Sequence, residues 1–513
     1  MSQPGSWLQR PGGSAVAATT VVGLGGFLFG YDIGIISGVL VMPSFLASFP
    51  AVARSPWVAG FVVTAFLIGG MLGALASSWL AEARGRRATL RIGAALFICG
   101  GCAQAVAGAL PALFVARGVS GLAIGLTASV VPVYNSELAP AERRGAMISY
   151  NQYMITSGIM VSFWVNYFLK NVRPTPRAHQ HLVELSGWRI AMLLQCLPAA
   201  LLLAGSLWLP RSPRWLVQNR RSAEALAALR QLRGSARTAD GQQERAVAEL
   251  REIEADCRRG GDTLARWSEF VTDPPSRRRL LCGIVLQTGQ MLCGIDSIMF
   301  FGPALFATAA PHVSDAGLLA QGLNGIINFI STFAAVCLLD RVGRRPLLAC
   351  GAATMSLCML TLAVVGVIYA RIEDGSGSDG SAAGGAVLVI EHRAAGVVCI
   401  VAIYTYVCAF AWSWGPVVWA LCTEIFPTRQ RARGVSITTS TNWMWNIAVG
   451  QLYPPVQQRL GFRIFFIFSA VSASLLLWTV CCAPETRGLS IDAVERLFER
   501  RRGTGKGRAP LLQ

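Results

Sequence analysis

Charge is scarce in this sequence, and lysine is almost absent. Asp, Glu, Lys and Arg together make up 14% of the 513 residues, whereas they make up about 25% of a typical soluble domain. A soluble protein of this length needs a more charged surface, so that class is excluded. Lysine occurs only at Lys170 and Lys506, so arginine carries the formal net charge of +18. Because the arginines stand at the ends of apolar segments, they indicate a membrane protein rather than a nucleic-acid-binding one.

The sequence also lacks the usual signs of catalysis. Its 4 histidines have no metal-ligand spacing with cysteine or aspartate. No glycine-rich phosphate loop and no nucleophile motif is present, which disfavours both an enzyme and an ATP-driven pump. The 14 cysteines stand mostly in apolar stretches, where they behave as small hydrophobic residues rather than as a disulfide framework. We therefore expect no enzyme activity, no cofactor and no bound metal.

Long apolar runs dominate what is present. Hydrophobic residues make up 53% of the chain, and its mean hydropathy is +0.49. A run of about 20 apolar residues crosses a bilayer as a helix. Such runs predict an all-α, multi-pass membrane protein with twelve spans, near residues 16–40, 57–80, 90–110, 111–133, 146–168, 187–209, 280–304, 318–338, 347–370, 396–421, 434–456 and 462–482.

The predicted spans form two sets of six around a polar stretch. The loops alternate in arginine content, so the positive-inside rule predicts that both termini are cytoplasmic. Helical patterns at Ala223–Leu232 and Arg245–Ile253 predict a helical linker, and Gly375–Gly385 is predicted to be an external loop. The predicted units are a cytoplasmic tail, a six-helix half, a cytoplasmic linker, a second six-helix half and a cytoplasmic tail, at 1–15, 16–210, 211–279, 280–482 and 483–513.

Three motifs recur in the same order in the two halves. The matching pairs are Glu82–Arg87 with Asp340–Arg345, Glu137–Gly145 with Glu424–Gly434, and, more loosely, Pro210–Arg214 with Pro484–Gly488. Each pair follows corresponding spans, which indicates a duplicated six-helix unit. Parallel halves related by an axis along the membrane normal are a transporter architecture, with the substrate site between them at mid-membrane.

The repeated motifs place acidic and arginine side chains at one face. We expect them to form ion pairs that join the halves while the pathway is closed to the cytoplasm, and that separate when it opens. The alternative is that the arginines only mark the cytoplasmic side. The predicted gate residues are Glu82, Arg86, Arg87, Glu137, Arg144, Asp340, Arg344, Arg345, Glu424, Arg433 and Glu485.

Six motifs together resemble one family. They are Phe29–Gly38, Pro132–Pro140, Asp340–Arg345, Trp414–Pro416, Glu424–Pro427 and Pro484–Gly488. Over residues 20–490 the chain resembles the sugar porter family of the major facilitator superfamily, and spans 7 and 10 resemble fungal members. The resemblance implies two pseudo-symmetric six-helix halves and alternating-access transport of a monosaccharide, most typically a hexose. It also implies a monomer in the plasma membrane.

Three ionisable residues stand within predicted spans: Asp32, Arg117 and Asp296. Counting about 1.5 Å per residue from the span ends places Asp32 and Arg117 at the same depth, where they can pair. The resemblance implies that Asp32 is the proton acceptor of a sugar–proton symporter and Arg117 its partner, with protonation releasing the pair. The alternative is a static ion pair, since facilitative members also carry Asp at this position.

The resemblance also implies a sugar site of amides and one aromatic residue. The matched residues are Gln152, Gln287, Gln290, Asn328, Trp419 and Asn442. Asp296 stands where the family usually has Asn, so it either accepts a hydrogen bond from a sugar hydroxyl or is a second protonatable group. Met291 and Ala411 also depart from the family pattern, and Arg211 replaces an expected Glu at the cytoplasmic face.

The sequence is compatible with several other functions. The protein can be a facilitative uniporter, a transporter of inositol, another polyol or a pentose, or a transporter-like sugar sensor. The short predicted tail of 483–513 favours transport over sensing. The expected partners are the monosaccharide, a proton and the lipid bilayer.

Overall fold

A computed structural model describes residues 13–138, 144–172, 186–233, 239–259, 267–311, 316–373, 387–487, 489 and 491–499. Within these residues the chain is almost entirely helical, as the long apolar runs predict. The described part of the first half contains nine helices: α1 Gly13–Val39, α2 Pro43–Ser48, α3 Pro50–Arg54, α4 Pro56–Arg84, α5 Arg86–Val106, α6 Leu110–Leu138, α7 Arg144–Leu169, α8 Gly187–Leu194 and α9 Cys196–Gly205.

The predicted linker is helical. Its helices are α10 Pro213–Gln218, α11 Ser222–Arg233, α12 Ala239–Arg259 and α13 Glu269–Thr272. The second half contains α14 Pro274–Leu292, α15 Ile295–Ala309, α16 Ala316–Val342, α17 Arg344–Tyr369, β1 Ala370–Glu373, β2 Val387–Ile390, α18 Arg393–Trp412, α19 Trp414–Glu424, α20 Thr428–Leu460, a 3-10 turn at Gly461–Arg463 and α21 Ile464–Cys482. A final helix, α22 Ile491–Glu499, lies in the predicted C-terminal tail.

The helices account for the twelve predicted spans. Ten segments of the described chain are long and apolar enough to cross a bilayer. One of these, the 54-residue segment Arg429–Cys482, contains both α20 and α21 and therefore counts as two spans. The 26-residue helix α7 supplies the remaining one. The prediction of an all-α protein with twelve membrane helices is confirmed.

Three spans predicted as continuous are broken in the structure. Pro198 and Pro416 lie just after two of the breaks, at Gln195 and Ser413. A proline ring clashes with the carbonyl four residues earlier and so favours a kink or a break in the preceding turn, although Pro132 and Pro303 lie inside continuous helices. The third break separates α14 from α15, where Gly294 has a left-handed φ of +99°. Hydropathy does not detect such breaks because the apolar run continues through them.

Each half has its own apolar core, and a few side chains cross between the two. The first core consists mainly of residues from α1 to α9, together with Phe300 and Trp443. The second consists mainly of residues from α14 to α21, together with Ile159 and Phe163. This arrangement agrees with the two pseudo-symmetric halves that the repeat predicts.

Two long helix pairs join the halves: α4 packs along α20, and α7 packs along α16. Glycine permits the close approach of α4 to α20. A Cβ on Gly60 would lie 3.1 Å from the carbonyl oxygen of Gln451, and one on Gly70 would lie 2.5 Å from the Trp443 ring. Small residues at such contacts are typical of membrane helices, which associate by packing.

A short antiparallel hairpin of β1 and β2 was not predicted from the sequence. It pairs Ala370 with Ile390 and Glu373 with Val387. Strands of four residues are too short to give a periodic pattern. The predicted external loop Gly375–Gly385 lies outside the described residues.

Candidate functional site

A buried ion pair connects α1 to α6. The Nη1 of Arg117 donates to both carboxylate oxygens of Asp32, at 2.8 and 3.0 Å. The two side chains are 1% and 0% exposed. The sequence places them at one depth, and the structure brings them into direct contact.

The rest of the Arg117 guanidinium is also engaged, by α4. Its Nε donates to the carbonyl oxygen of Val62 at 3.2 Å, and the group lies over the Phe66 ring, 4.8 Å from its centroid. Arg117 therefore keeps two neighbours that do not depend on Asp32. Removing one partner from a buried ion pair typically costs about 3–5 kcal/mol, because the other charge is left uncompensated.

A cluster of three amides lies between α14 and α20. The Nδ2 of Asn442 donates to Oε1 of Gln287 at 2.7 Å and to Oε1 of Gln290 at 2.9 Å. All three residues are buried. The two glutamines lie three residues apart on one face of α14, where both reach the same asparagine.

Gln290 also stabilises the break between α18 and α19. Its Nε2 donates to the carbonyl oxygens of Trp414 and Gly415, at 2.8 and 3.1 Å. The amide cluster is thus anchored to the first turn of α19, directly after the break at Ser413. In membrane transporters, broken helices of this kind line substrate cavities.

Asp296 lies in the first turn of α15, directly after the break at Gly294. It is 8% exposed, and its Oδ2 has no hydrogen-bond partner in the part of the chain that the structure describes. A buried carboxylate oxygen without a partner is costly, so it is suited to accept a hydrogen bond from a ligand. Arg117 and Asp32 satisfy each other; Asp296 has no such basic partner among the described residues.

The other predicted sugar ligands do not join the amide cluster directly. Gln152 on α7 and Trp419 on α19 are half-buried, and Asn328 on α16 is buried. Within the described residues, none of these three side chains forms a hydrogen bond with another protein group. Their donors and acceptors are therefore not already satisfied by the protein.

Two polar residues on α20 were missed in the sequence. Asn446 is buried and its Oδ1 lacks a partner, and the buried hydroxyl of Tyr453 also lacks one among the described residues. Tyr453 stacks on Phe301, with ring centroids 5.4 Å apart. Asn446 follows Asn442 by one helical turn, so the four-residue spacing of two asparagines in an apolar span was an available signal.

Two pairs of predicted gate residues form ion pairs within their own half in the described part of the chain. Arg86 Nη2 contacts Glu137 Oε1 at 2.9 Å, and Arg344 Nη2 contacts Glu424 Oε1 at 2.9 Å. The prediction that these residues pair across the halves concerns the conformation closed to the cytoplasm, and for that conformation it stays a prediction. The pairing within each half follows from the turns that carry the arginines. A single glycine separates each arginine from the preceding helix, so the arginine side chain reaches the nearest helix end of its own half.

The remaining gate residues also bind locally. Arg87 donates to the carbonyl oxygens of Ser206 and Leu207, at 3.1 and 2.7 Å, and Arg345 donates to that of Val480. Other contacts are a Trp215 indole donating to the Glu82 carbonyl oxygen at 2.9 Å, Arg433 over the Trp267 ring at 5.0 Å, and Glu485 accepting from the amides of Arg344 and Arg345 at 3.1 and 3.0 Å. The side chains of Arg144 and Asp340 lie outside the described part of the chain.

At the opposite face, hydrogen bonds do join the halves. Thr64 Oγ1 donates to Oε1 of Gln451 at 2.7 Å, and Gln451 Nε2 donates to the carbonyl oxygen of Trp57 at 3.1 Å. Both contacts connect the first turns of α4 with the last turns of α20. The conformation is thus held together at the face away from the arginine motifs.

The family model described as "Sugar (and other) transporter" matches residues 18–498. The chain belongs to the sugar transporter family. Its family membership makes it a membrane transporter and not an enzyme.

Several relatives of this sugar transporter are named for the sugars that they carry. A galactose–proton symporter of Escherichia coli strain K12 is 31% identical over 474 residues, which cover 92% of each chain. An arabinose–proton symporter of the same strain is also 31% identical, covering 92% of this chain and 90% of that protein. A glucose transporter of Aspergillus flavus is 29% identical over 481 residues, covering 93% and 88%.

Solved structures with the same architecture include the proton:xylose symporter XylE bound to 6-bromo-6-deoxy-D-glucose. The TM-score is 0.76 at 28% sequence identity, and the match covers 95% of this chain and 100% of that one. A partially occluded inward-open form of XylE from E. coli gives a TM-score of 0.74 at 27% identity, covering 93% and 99%. These likenesses confirm the predicted family and fold.

Proposed function

We propose that this protein is a sugar–proton symporter that carries a monosaccharide, most typically a hexose, by alternating access. The observation that carries the proposal is the fully buried ion pair between Asp32 on α1 and Arg117 on α6, whose guanidinium also contacts α4. A titratable pair inside a membrane helix bundle is expensive and is typically functional. Relatives named as proton symporters for galactose, arabinose and xylose support the same conclusion.

The amide cluster supplies the sugar-binding chemistry. Amides donate and accept hydrogen bonds without charge, which suits hydroxyl groups that do both. Sugar hydroxyls replace the hydrogen bonds that Asn442 makes to Gln287 and Gln290. Further contacts with the sugar come from the surrounding helices, through Gln152, Asn328 and Trp419. Asp296 accepts one further hydroxyl hydrogen through its unpartnered Oδ2.

Proton binding acts on α1. A proton on Asp32 neutralises the carboxylate, while Arg117 keeps its contacts with Val62 and Phe66 on α4. The attraction that holds α1 to α6 is then lost, and α1 becomes free to move. Because α1 also contacts α15, which carries Asp296, its movement reaches the sugar site directly.

Alternation requires that contacts at the two faces form in turn. The bonds of Gln451 to Thr64 and Trp57 close one face in the present conformation. We propose that this face is external, since the arginine-rich loops mark the cytoplasmic side. It follows that both termini are cytoplasmic; we further propose a monomer in the plasma membrane.

Uptake of radiolabelled hexose into liposomes containing the purified protein tests this function. With an inward proton gradient we expect accumulation above equilibrium, and a protonophore should abolish it. Asp32→Asn should abolish accumulation but preserve sugar exchange down its gradient. Uptake that only equilibrates, whatever the gradient, would make the protein a facilitator with a structural ion pair.

A panel of pentoses and polyols extends the same assay. Asp296 and Met291 depart from the family pattern at the sugar site, and named relatives include a transporter of the pentose arabinose. If no hexose moves but a pentose or polyol accumulates, the proton mechanism stands and the substrate class changes. If no sugar moves at all, a sensor function is favoured instead.

A further inference from the structure

A cationic cavity lies at the first turn of α5, on the arginine-rich face of the first half. Its volume is about 140 Å³, whereas one water needs about 10–15 Å³ of such space. Every charged residue that lines it is an arginine: Arg84, Arg86, Arg87, Arg91 and Arg211. The remaining lining residues are Gly85, Ala88, Ser212 and Trp215.

The second half contains the same arrangement with an anion in place. Gly343 precedes α17 with a φ of +101°, as Gly85 precedes α5 with a φ of +87°. The carboxylate of Glu485 accepts hydrogen bonds from the backbone amides of Arg344 and Arg345, at 3.1 and 3.0 Å. A Cβ on Gly343 would lie only 2.9 Å from Glu485 Oε2, so the glycine leaves room for that carboxylate.

The two sites share two arginine contacts but differ at the anion and beside the glycine, where a Cβ on Gly85 would lie 3.3 Å from the Trp215 ring. Arg86 and Arg344 each bind a glutamate of their own half at 2.9 Å. Arg87 and Arg345 each donate to carbonyl oxygens near the end of the sixth span of their half. Arg211 occupies the motif position of Glu485, and within the described residues no side chain accepts from the amides of Arg86 or Arg87.

The first-half site therefore has donors without an acceptor. The first amides of α5 have no intrahelical partner, and the positive end of the helix dipole points at the cavity. Glu137 offsets one of the five guanidinium charges. Arg211 is 47% exposed and lies 3.5 Å from Glu224, a contact too solvated to hold it strongly.

We propose that this cavity binds a phosphate group, which takes the place that the Glu485 carboxylate occupies in the second half. A phosphate offers several oxygens to backbone amides and guanidinium groups at once, the arrangement in which such bonds are strongest. The bound group completes the cytoplasmic end of the first half. This inference does not depend on which sugar is carried or on proton coupling.

The phosphate comes from a lipid headgroup or from a soluble molecule. Exposed apolar side chains beside the site, such as Trp208 at 80% and Leu207 at 57% exposure, place it at the membrane boundary. Tryptophan is typical of that level of a membrane protein. The two sources share the same binding chemistry and are separated by the experiment.

Thermal unfolding of the purified full-length protein in detergent tests the site, with inorganic phosphate as the probe and chloride at matched ionic strength as the reference. We expect saturable stabilisation by phosphate. Arg211→Glu restores an internal carboxylate and should weaken phosphate binding at least about tenfold. Arg211→Gln, which supplies no carboxylate, should weaken it less and serves if the first variant does not fold.

Arg230→Glu is the matched control, because Arg230 is exposed on α11, outside the cavity lining, and the change in charge is identical. It should bind phosphate as the wild type does. Equal weakening by both glutamate variants would overturn the proposal, since it would indicate only the overall charge. Absence of saturable stabilisation by phosphate, both in detergent and in vesicles, would overturn it as well.

Vesicles of phosphatidylcholine, with and without phosphatidic acid, identify the source. If phosphatidic acid stabilises the wild type but not Arg211→Glu, and added phosphate then has no further effect, the ligand is a lipid headgroup. If added phosphate stabilises the protein equally in both vesicles, the ligand is a soluble phosphate.

Discussion

The two halves of this transporter share one scaffold but place different chemistry in it. In the first half, Asp32 on α1 is neutralised by Arg117 on α6. In the second half, Asp296 occupies the corresponding place in span 7 without such a partner among the described residues. Counted back from Glu424 as Arg117 is from Glu137, the matching residue is the neutral Tyr404. Under the proposed function, the first half binds the proton and the second half supplies most of the sugar-binding residues.

Equivalent glycines have different structural roles in the two halves. Gly30 and Gly294 stand two residues before Asp32 and Asp296. Gly30 lies in a continuous helix, where a Cβ would be 1.8 Å from the carbonyl oxygen of Ile155, so it permits α1 to pack on α7. Gly294 instead breaks its span with a φ of +99°. At this break the carbonyl oxygen of Cys293 accepts a hydrogen bond from the Tyr406 hydroxyl at 3.0 Å, beside the proposed sugar site.

Removing Arg117 should produce the largest effect. Arg117→Met leaves Asp32 buried and uncompensated, and we expect a loss of about 3–5 kcal/mol in the free energy of unfolding. The double variant Arg117→Met with Asp32→Asn should recover most of that stability, because no buried charge is left unpaired. Thermal unfolding of both variants measures this, and equal destabilisation would show that the ion pair is not what Arg117 contributes.

Removing a buried amide should affect the halves differently. Asn442→Leu leaves two glutamine oxygens without a donor and should weaken hexose binding about tenfold to a hundredfold. Asn166 in the first half is an equally buried amide, which donates to the carbonyl oxygens of Gly34 and Ile35 at 3.1 and 3.0 Å. Asn166→Leu should therefore lower stability with little change in hexose affinity. Equal losses of affinity by equilibrium binding would contradict the division of roles.

Alanine at the two glycines should destabilise the two halves through different contacts. We expect Gly30→Ala to cost about 2 kcal/mol, because the Ile155 carbonyl is rigid backbone and α1 must shift away from α7. Gly294→Ala should cost at least about 1 kcal/mol through its left-handed conformation, and its Cβ would also lie 2.7 Å from the Phe468 ring, a side chain that can shift. Thermal unfolding gives both values; the reverse order would mean that the α1–α7 contact is loosely packed.

Asp296→Asn should have the smallest effect. The amide keeps an acceptor oxygen and adds a donor, so we expect hexose affinity to change by no more than about threefold. Uphill accumulation should be unaffected, in contrast to its loss in Asp32→Asn. Loss of accumulation in Asp296→Asn, measured in the same liposome assay, would show that the second half also takes part in proton coupling.

Much of the fold could be predicted, because a membrane span is recognisable from the length and composition of its apolar run. The breaks at Gln195, Gly294 and Ser413 could not, since local backbone geometry leaves the hydropathy of the run unchanged. The contact of Asp32 with Arg117 was predictable from depth because both residues are rare charges in an apolar run. The partners of Gln290, which are the backbone carbonyls of Trp414 and Gly415, depend on a break that hydropathy does not reveal.

The sequence alone determined the membrane class, the twelve spans, the duplicated halves and the family, because each rests on composition or on motifs that stand along the chain. Only the tertiary structure decided which charges meet. It paired Arg86 with Glu137 inside one half, and it placed Glu485 on the first turn of α17 while leaving the matching turn of α5 open to Arg211. Pairing depends on distance in space. A repeat in the sequence does not determine which charges pair when one copy of the motif carries Arg211 where the other carries Glu485.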